Sequence, residues 1–256
     1  MTTGTRSLFV VTLGRLPYAD AWALQREIAS ARIAGDVPQD VLLLVEHPPV
    51  VTLGRSSKEA HLVASRELLA ARGVELYEVE RGGDVTFHGP GQLVGYPIVD
   101  LKRHRQDLHW YLRQVEESLI RGIAGFGLRG FRVPGYTGVW VGEEVAEMSQ
   151  VSPATRKLAS IGVHARDWVT WHGFALNVST DLRYFDLIVP CGIRSVTMTT
   201  IARELGASRA ERELAAPPLA EVGERVGAAL AAVLDLEAVS TPLDWFRGAG
   251  VALAAD

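Results

Sequence analysis

Cysteine is nearly absent from this sequence, since Cys191 is the only one in 256 residues. A single cysteine cannot form an internal disulfide, which is typical of proteins from a reducing compartment. Runs of 18 or more apolar residues are also absent, and polar residues interrupt the first 20 positions. The sequence therefore predicts neither a transmembrane helix nor a signal peptide, and we expect a cytoplasmic protein.

Positive charge is also in short supply. The chain has 26 basic and 30 acidic residues, a formal net charge of −4. This balance argues against a protein that binds nucleic acid through a basic surface. The lysines are Lys58, Lys102 and Lys157, and the other basic residues are arginines, whose guanidinium groups stay protonated. A site that needs a cation able to release its proton therefore has few candidates.

Hydrophobic residues make up 48% of the chain, enough for a packed core, and their spacing predicts short strands and amphipathic helices. Strands are predicted at residues 7–13, 40–47, 50–54, 74–80, 138–141, 157–163, 168–178 and 187–193. Helices are predicted at residues 18–35, 65–73, 107–127, 197–206 and 218–235. Few neighbouring strands are separated by a helix-length crossover, so we expect an α+β fold with mostly antiparallel sheets flanked by helices.

No internal repeat is visible in the sequence. The stretch at residues 207–218 resembles a linker, and the alanine-rich tail beyond Leu234 has the composition of a peripheral segment. We expect a main domain over residues 1–210. A helical C-terminal extension over residues 211–256 is expected to be packed on it or peripheral.

Cys191 lies between a proline and a glycine in the segment IVPCGI. Free cysteines are among the most often buried residue types, so a packing role is the default interpretation. Pro190 fixes φ and lacks an N–H, while Gly192 tolerates backbone geometry that other residues do not, a combination that favours presentation at a sheet edge. A solitary cysteine with histidines elsewhere is also typical of a nucleophile. Both interpretations stay open at this point.

The densest glycine segment is RGGDVTFHGPGQ, residues 81–92. It matches neither the dinucleotide-binding fingerprint nor the lysine-containing phosphate loop. Glycine turns allow a ligand to approach the backbone closely, although most are only turns. Lys157, His164 and His172 are each readily interpreted as ordinary surface or structural residues when taken alone.

Taken in order, however, these segments resemble one enzyme family. RGGDVTFHGPGQLVGYPIVDL, KLASIGV, HGFALNV and PCGI, with YADAWALQ and EHPPVVTLGR upstream, are similar to the lipoyl(octanoyl) transferases, which are octanoyl-acyl-carrier-protein:protein N-octanoyltransferases. The resemblance covers roughly residues 8–205. It implies the α+β fold of the biotin and lipoate ligase superfamily, with the acyltransferase catalytic domain within residues 1–210.

The resemblance also implies roles for individual residues. Cys191 is expected to carry the octanoyl group as a thioester, with Lys157 as its partner in a Cys–Lys dyad. A thiol of pKa about 8.5 is only a few per cent thiolate at neutral pH, and an adjacent ammonium lowers that pKa. His47 and His172 are possible supporting residues. The residues expected to line the acyl pocket are Arg81, Gly82, Gly83, Asp84, Val85, Thr86, Phe87, His88, Ser160, Ile161, Gly162, Gly173, Phe174 and Ala175.

The expected donor is octanoyl-acyl carrier protein, and the expected acceptors are lipoyl domains of 2-oxoacid dehydrogenase E2 subunits and the glycine cleavage H protein. Conversion of a thioester to an amide is downhill, so no nucleotide, other cofactor or metal is expected. Neither nucleic acid nor membrane is expected as a partner. Backbone amides of the glycine turns are candidates for stabilising the oxyanion.

Two features depart from the family pattern. His164 stands where arginine or lysine is more usual, and the loop at residues 142–156 is longer than usual, which bears on the placement of Lys157. The rival enzyme is an ATP-dependent lipoate or biotin ligase, which needs no cysteine nucleophile, but its usual glycine-loop motifs are missing here. A third alternative is a catalytically inactive acyl-binding protein, which the loss of Cys191 or Lys157 would have favoured.

Overall fold

A computed structural model describes residues 6–190, 196–208 and 216–251. The helices are α1 (Tyr18–Ala34), α2 (Arg66–Ala71), α3 (Leu108–Ala124), α4 (Ile201–Ser208), α5 (Leu219–Val233) and α6 (Trp245–Gly248). The strands are β1 (Ser7–Arg15), β2 (Asp40–Glu46), β3 (Val50–Leu53), β4 (Glu75–Glu78), β5 (Val85–His88), β6 (Gln92–Ile98), β7 (Val139–Gly142), β8 (Thr155–Arg166), β9 (Val169–Asn177), β10 (Thr197–Met198) and β11 (Glu237–Ser240). None of the helices in these ranges has the length and apolar character needed to cross a bilayer.

The strands form two sheets. In the larger one the order is β10-β8-β9-β6-β2-β1-β11, with β7 also paired to β8, and the smaller one has the order β4-β3-β5. The centre of the larger sheet is antiparallel, from β2 through β6 and β9 to β8. Its edges are parallel, where β1 joins β2 and β11 and where β10 joins β8. The predicted α+β class is confirmed, with more parallel pairing at the edges than the prediction of mostly antiparallel sheets anticipates.

Helices cover both faces of the larger sheet, which explains why β2 is apolar without alternation. Leu42 and Leu44 face the core shared with α3 and α5, whereas Val41 and Leu43 face Ile28 on α1. A strand buried on both faces reads as a continuous hydrophobic run, as DVLLLVE does.

Helix α5 packs closely on this sheet because its contact face includes glycines. A Cβ at Gly223 would be 3.0 Å from Leu44 Cδ1, and one at Gly227 would be 3.4 Å from Val10. Val226 and Leu230 are fully buried in the same core as Leu42. The described part of the C-terminal segment thus packs into the main core and adds β11 to the sheet. Beyond Leu234 the described residues are mostly exposed, and β11 is an exposed edge strand, although Phe246 and Val251 are buried. The peripheral tail and the domain boundary at residue 210 therefore stay predictions.

Two predicted elements near Cys191 differ from the structure. Residues Leu182–Leu187 form a 3₁₀ helix, and Ile188 makes only an isolated bridge to Leu62, so the predicted strand at 187–193 is wrong over its described part. The predicted helix at 197–206 begins only at Ile201, because Thr197–Met198 pair with the edge of β8. Backbone pairing at an open sheet edge overrides the local helical pattern there.

Candidate active site

A cavity of about 480 Å³ lies between the β8–β9 hairpin, the loop that precedes β5 and the N-terminal part of α3. Most of the predicted site residues line it. These are Arg81, Gly82, Gly83, Asp84, Val85, Thr86, His88, Lys157, Ser160, Ile161, Gly162, His172, Gly173, Phe174 and Ala175. Segments far apart in sequence therefore meet at one site.

Phe87 and His47 are the predicted site residues in the described ranges that do not line the cavity. The Phe87 ring packs on the other side of β5, stacked on Tyr184 at 4.6 Å and edge-on to Phe185. Successive side chains of a strand point to opposite faces, so Thr86 and His88 reach the cavity while Phe87 enters the core. His47 lies one layer behind the cavity.

Lys157 is held at the point where three strands meet. Its backbone pairs with Trp140 on β7 and with Met198 on β10, and its side chain is only 1% exposed. The Nζ atom lies 5.2 Å from the centroid of the Trp140 ring. A Cβ at Gly138 would come within 2.9 Å of Lys157 Cε, so the glycine leaves room for the lysine side chain. The long loop before Lys157 has thus not displaced it from the cavity.

Arg81 organises the glycine loop. Its guanidinium donates to the carbonyl oxygen of Thr52 at 2.7 Å and to the Thr52 hydroxyl at 2.9 Å. The next residue, Gly82, donates its backbone N–H to Val163 O at 2.8 Å. The loop is therefore anchored both to the smaller sheet and to β8, which fixes the cavity wall between them.

A buried cluster of neutral histidines and tyrosines backs the cavity. His47 Nδ1 lies 2.7 Å from Leu16 O and must donate to it, so Nε2 accepts from Tyr96 OH at 2.7 Å. Burial lowers the pKa of His47 to about 4, which keeps the imidazole neutral at pH 7. Tyr18 stacks on His88 at 5.9 Å.

Hydrogen bonds also define the tautomer of His88. Gln92 Nε2 donates to Phe87 O and Asn177 Oδ1, which leaves Gln92 Oε1 to accept from His88 Nδ1–H at 2.9 Å. Burial, reinforced by the neighbouring His47, holds the pKa of His88 well below its usual value. His88 therefore presents a neutral ring to the cavity at pH 7.

His172 has an unusual backbone conformation, with φ of 55° in the left-handed region. Gln25 Oε1 accepts from its backbone N–H at 2.9 Å, and Glu80 Oε1 lies 3.5 Å from Nε2. Burial lowers the pKa of His172 despite that carboxylate. Backbone strain of this kind is concentrated at functional sites, and here it belongs to a residue that lines the cavity.

Cys191 lies outside the described residues, but the described residues on both sides of it are linked by hydrogen bonds or strand pairing to residues that line the cavity. Val189 donates its N–H to His61 O at 2.8 Å, and the His61 ring contacts Asp84 Oδ2 at 2.5 Å. On the other flank, Met198 pairs with Lys157. Among the described residues, no group of three metal-ligating side chains is present.

Several cavity residues are missing from the sequence-based list: Tyr18, Tyr96, Leu108, His109, Leu112, Gly135, Tyr136, Thr137 and Val163. Tyr18, Tyr96 and Val163 fall within the motifs YADAWALQ, GYPIVDL and KLASIGV, so the signal for them was present. Leu108 and Leu112 carry no such signal, because only the packing of α3 brings them to the site.

The fold matches that of lipoate-protein ligases. The bipartite lipoate protein ligase of Thermoplasma acidophilum has a TM-score of 0.70 over 93% of this chain and 88% of that one, at 15% identity. A lipoate-protein ligase A bound with ATP has a TM-score of 0.66 over 94% of this chain and 90% of that one, at 16% identity. Because the identities are this low, the two matches show that the chain has the lipoate-protein ligase fold and nothing more.

Sequence comparison shows which family with this fold the chain belongs to. Residues 17–230 match the family model of the lipoyl protein ligase A/B catalytic domain. An octanoyltransferase of Chloroflexus aggregans is 47% identical over 92% of this chain and 98% of that one. An octanoyltransferase of Myxococcus xanthus is 47% identical over 92% of this chain, which spans 62% of that longer relative. The chain belongs to the lipoyl protein ligase A/B catalytic domain family and, within it, to the octanoyltransferases, which are acyltransferases. The predicted family resemblance is confirmed.

Proposed function

We propose that this protein transfers an octanoyl group from octanoyl-acyl carrier protein to the lysine of a lipoyl domain, through a thioester on Cys191. The observation that carries the proposal is the position of Lys157, a buried amine in the wall of a partly apolar cavity. The described residues that flank the only cysteine are linked to this wall, since Val189 bonds to His61, which contacts Asp84, and Met198 pairs with Lys157.

In the first step the Cys191 thiolate attacks the carbonyl carbon of the carrier-protein thioester. The new carbon–sulfur bond forms, the bond to the carrier sulfur breaks, and the released carrier thiolate takes a proton. The Lys157 ammonium favours the Cys191 thiolate beforehand and supplies that proton afterwards.

In the second step the ε-amine of the acceptor lysine attacks the Cys191 thioester. An amide bond forms, the cysteine sulfur leaves as a thiolate, and the amine loses one proton. Lys157, left neutral by the first step, accepts that proton, which restores the starting ion pair. An arginine at this position is unable to do so because it does not release its own proton near neutral pH.

The acyl chain is placed against the apolar part of the cavity wall. Ile161, Val163 and Phe174 come from the β8–β9 hairpin and Leu112 from α3. Each methylene buried there contributes about 0.8 kcal/mol before the cost of ordering the chain. An eight-carbon chain is therefore held mainly by non-directional contacts.

Hydrogen bonds of the glycine segment reduce the number of backbone amides that are available to stabilise the oxyanion. The Gly82 amide donates to Val163 O, and the Gly91 amide donates to Glu46 Oε1 at 2.6 Å. Both amides are engaged within the chain, so we assign oxyanion stabilisation to the amide of Gly83, which lines the cavity.

Acceptors of the proposed reaction are lipoyl domains of 2-oxoacid dehydrogenase E2 subunits and the glycine cleavage H protein. Support for a lipoyl-type acceptor comes from the family itself and from the fold shared with lipoate-protein ligases. Octanoyl-acyl carrier protein is the donor that provides an activated thioester without a nucleotide.

The test is incubation of the purified protein with octanoyl-acyl carrier protein in the absence of ATP. We expect a mass gain of one octanoyl group on Cys191, which passes to a lipoyl domain added later. Modification that requires ATP and free octanoate, with no adduct on Cys191, would establish the rival ligase activity. A Cys191→Ser variant with the full transfer rate would contradict the thioester mechanism.

A further inference from the structure

The side chain beneath Lys157 is a tryptophan that the proposed chemistry does not use. Trp140 faces Lys157 across the β7–β8 ladder, and the lysine Nζ lies 5.2 Å from the centroid of its ring. A cation within about 6 Å of a tryptophan face is attracted by the negative electrostatic potential of the ring, and the attraction grows when water is excluded. Trp140 is 0% exposed and Lys157 is 1% exposed.

The ring itself is held rigidly. Tyr136 stacks on it at 5.8 Å, and Phe131 and Val133 belong to the same buried cluster. Val196, the first described residue after the Cys191 segment, also packs against this cluster. The aromatic cluster thus supports both the lysine and one end of the segment that carries the thiol.

The indole N–H of Trp140 has no hydrogen-bond partner among the described residues. Burying an unpaired N–H costs free energy, and a phenylalanine would fill most of the same space without that cost. What tryptophan supplies beyond phenylalanine here is the larger and more electron-rich ring face.

A second contact constrains the lysine. Gly138 leaves room for Lys157 Cε, and its N–H donates to Glu116 Oε1 at 3.0 Å. Glu116 is fully buried and is fixed by Arg113 and Arg132. The lysine side chain therefore lies close to both the Gly138 backbone and the Trp140 ring.

We propose that Trp140 is a positioning residue, whose ring face holds the Lys157 ammonium at the cavity wall so that it stabilises the Cys191 thiolate. This inference rests on the proposed Cys–Lys function and deepens it. A role limited to core packing predicts that Trp140→Phe leaves thiol reactivity unchanged, whereas positioning by the ring face predicts a measurable change.

The experiment is the pH dependence of iodoacetamide alkylation, measured on the full chain. Because the chain has one cysteine, the reaction reports on one thiol. We expect the midpoint for Trp140→Leu to rise by about one pH unit relative to the wild type, with Trp140→Phe in between. The octanoyl transfer rate at pH 7 should fall about tenfold for Trp140→Leu, in line with the smaller thiolate fraction.

Controls separate this inference from the function on which it rests. Trp245→Leu removes a partly exposed tryptophan that does not line the cavity, and its midpoint should equal that of the wild type. Lys157→Met should raise the midpoint at least as far as Trp140→Leu. The other titratable groups that line the cavity are unchanged in every variant: Tyr18, Arg81, Asp84, His88, Tyr96, His109, Tyr136 and His172.

The outcomes are distinct. If Lys157→Met raises the midpoint and neither Trp140 variant does, the role of Trp140 is refuted and the dyad stands. If Lys157→Met also leaves the midpoint unchanged, the proposed dyad itself is refuted. Should Trp140→Leu fail to fold, Trp140→Phe alone decides, because it preserves the aromatic packing and an unchanged midpoint contradicts the inference.

Discussion

Among single residues, position 157 gives the first prediction, because a lysine there is able to release and accept a proton near neutral pH and an arginine is not. Replacement by arginine keeps a positive charge beside the thiol but removes the group that accepts a proton from the incoming amine. The second step is transfer of the acyl group from a preformed Cys191 thioester to a lipoyl domain. We expect Lys157→Arg to lower the rate of this step by about 100-fold or more. Single-turnover mass spectrometry measures this step directly.

The matched control is Lys102→Arg, which makes the same change at a side chain that is 43% exposed and pairs with Asp100. Its transfer rate should equal that of the wild type. If Lys157→Arg transferred the acyl group as fast as Lys102→Arg, proton acceptance by the side chain at position 157 would not be required.

A second residue-scale prediction concerns the neutral histidines behind the cavity. The folded-state pKa of His47 is lowered to about 4, while its ordinary value is 6.5, so the unfolded chain binds more protons between these values. Stability from the neutral ring is fully present above pH 6.5 and is lost as the pH falls towards 4. We expect the free energy of unfolding to drop by up to about 3 kcal/mol from this residue alone.

Urea unfolding at pH 7, 6, 5 and 4.5 measures how steeply the free energy of unfolding falls with pH. A His47→Gln variant keeps a donor for Leu16 O and an acceptor for Tyr96 OH but does not titrate, so its stability should depend less on pH. His88 and His172 have pKa values lowered by burial and act in the same direction. Equal slopes for the wild type and His47→Gln would contradict the prediction.

At the scale of elements, local patterns predict those parts of the fold whose own residues determine them. Helix α2 is an example, since it is predicted at residues 65–73 and observed at Arg66–Ala71, where the Ser65 side chain accepts from Leu68 N. Strand β10 is the opposite case, because its two residues form a strand only by pairing with residues of β8 that lie 41 positions earlier in the chain. The same distinction holds for the site. The cavity residues within sequence motifs could be predicted from the sequence, whereas Leu108 and Leu112 line the cavity only because of how α3 packs.

The β6–β9 ladder shows how tightly the cavity floor is built. A Cβ at Gly173 would lie 2.2 Å from Gly95 O and 2.5 Å from Pro97 Cδ, and neither backbone nor proline ring can rotate away. We expect Gly173→Ala to destabilise the protein by about 1–3 kcal/mol, the usual cost of overpacking a core. Chemical denaturation measures the change.

Gly206→Ala in α4 is the matched control, because no atom of the described residues lies within 4 Å of the added methyl group. It should leave stability unchanged or raise it by up to about 1 kcal/mol, since alanine favours the helix. If both variants behave alike, the close approach of β6 and β9 at Gly173 is not the constraint that the geometry indicates.

At the scale of the whole molecule, the central question is whether the chain divides near residue 210. The family model matches residues up to 230, beyond the predicted boundary. Val222, Val226, Leu230 and Leu234 are each at most 2% exposed and share one core with Leu42 and Leu44. Strand β11 also pairs with β1, which would otherwise form the edge of the sheet.

This packing predicts that a chain ending at residue 210 does not fold. Losing four buried aliphatic side chains removes about 6–12 kcal/mol at about 1.5–3 kcal/mol each, which is comparable with the 5–15 kcal/mol stability of a typical domain. The same deletion would expose Leu42, Leu44 and Leu93 on the open face of the sheet. We expect aggregation in size-exclusion chromatography and loss of the cooperative thermal transition seen by circular dichroism.

A chain ending at residue 251 keeps α5, β11 and Phe246 and should melt like the full chain. A monomeric, cooperatively melting 1–210 fragment would instead support an independent domain with an added helical extension.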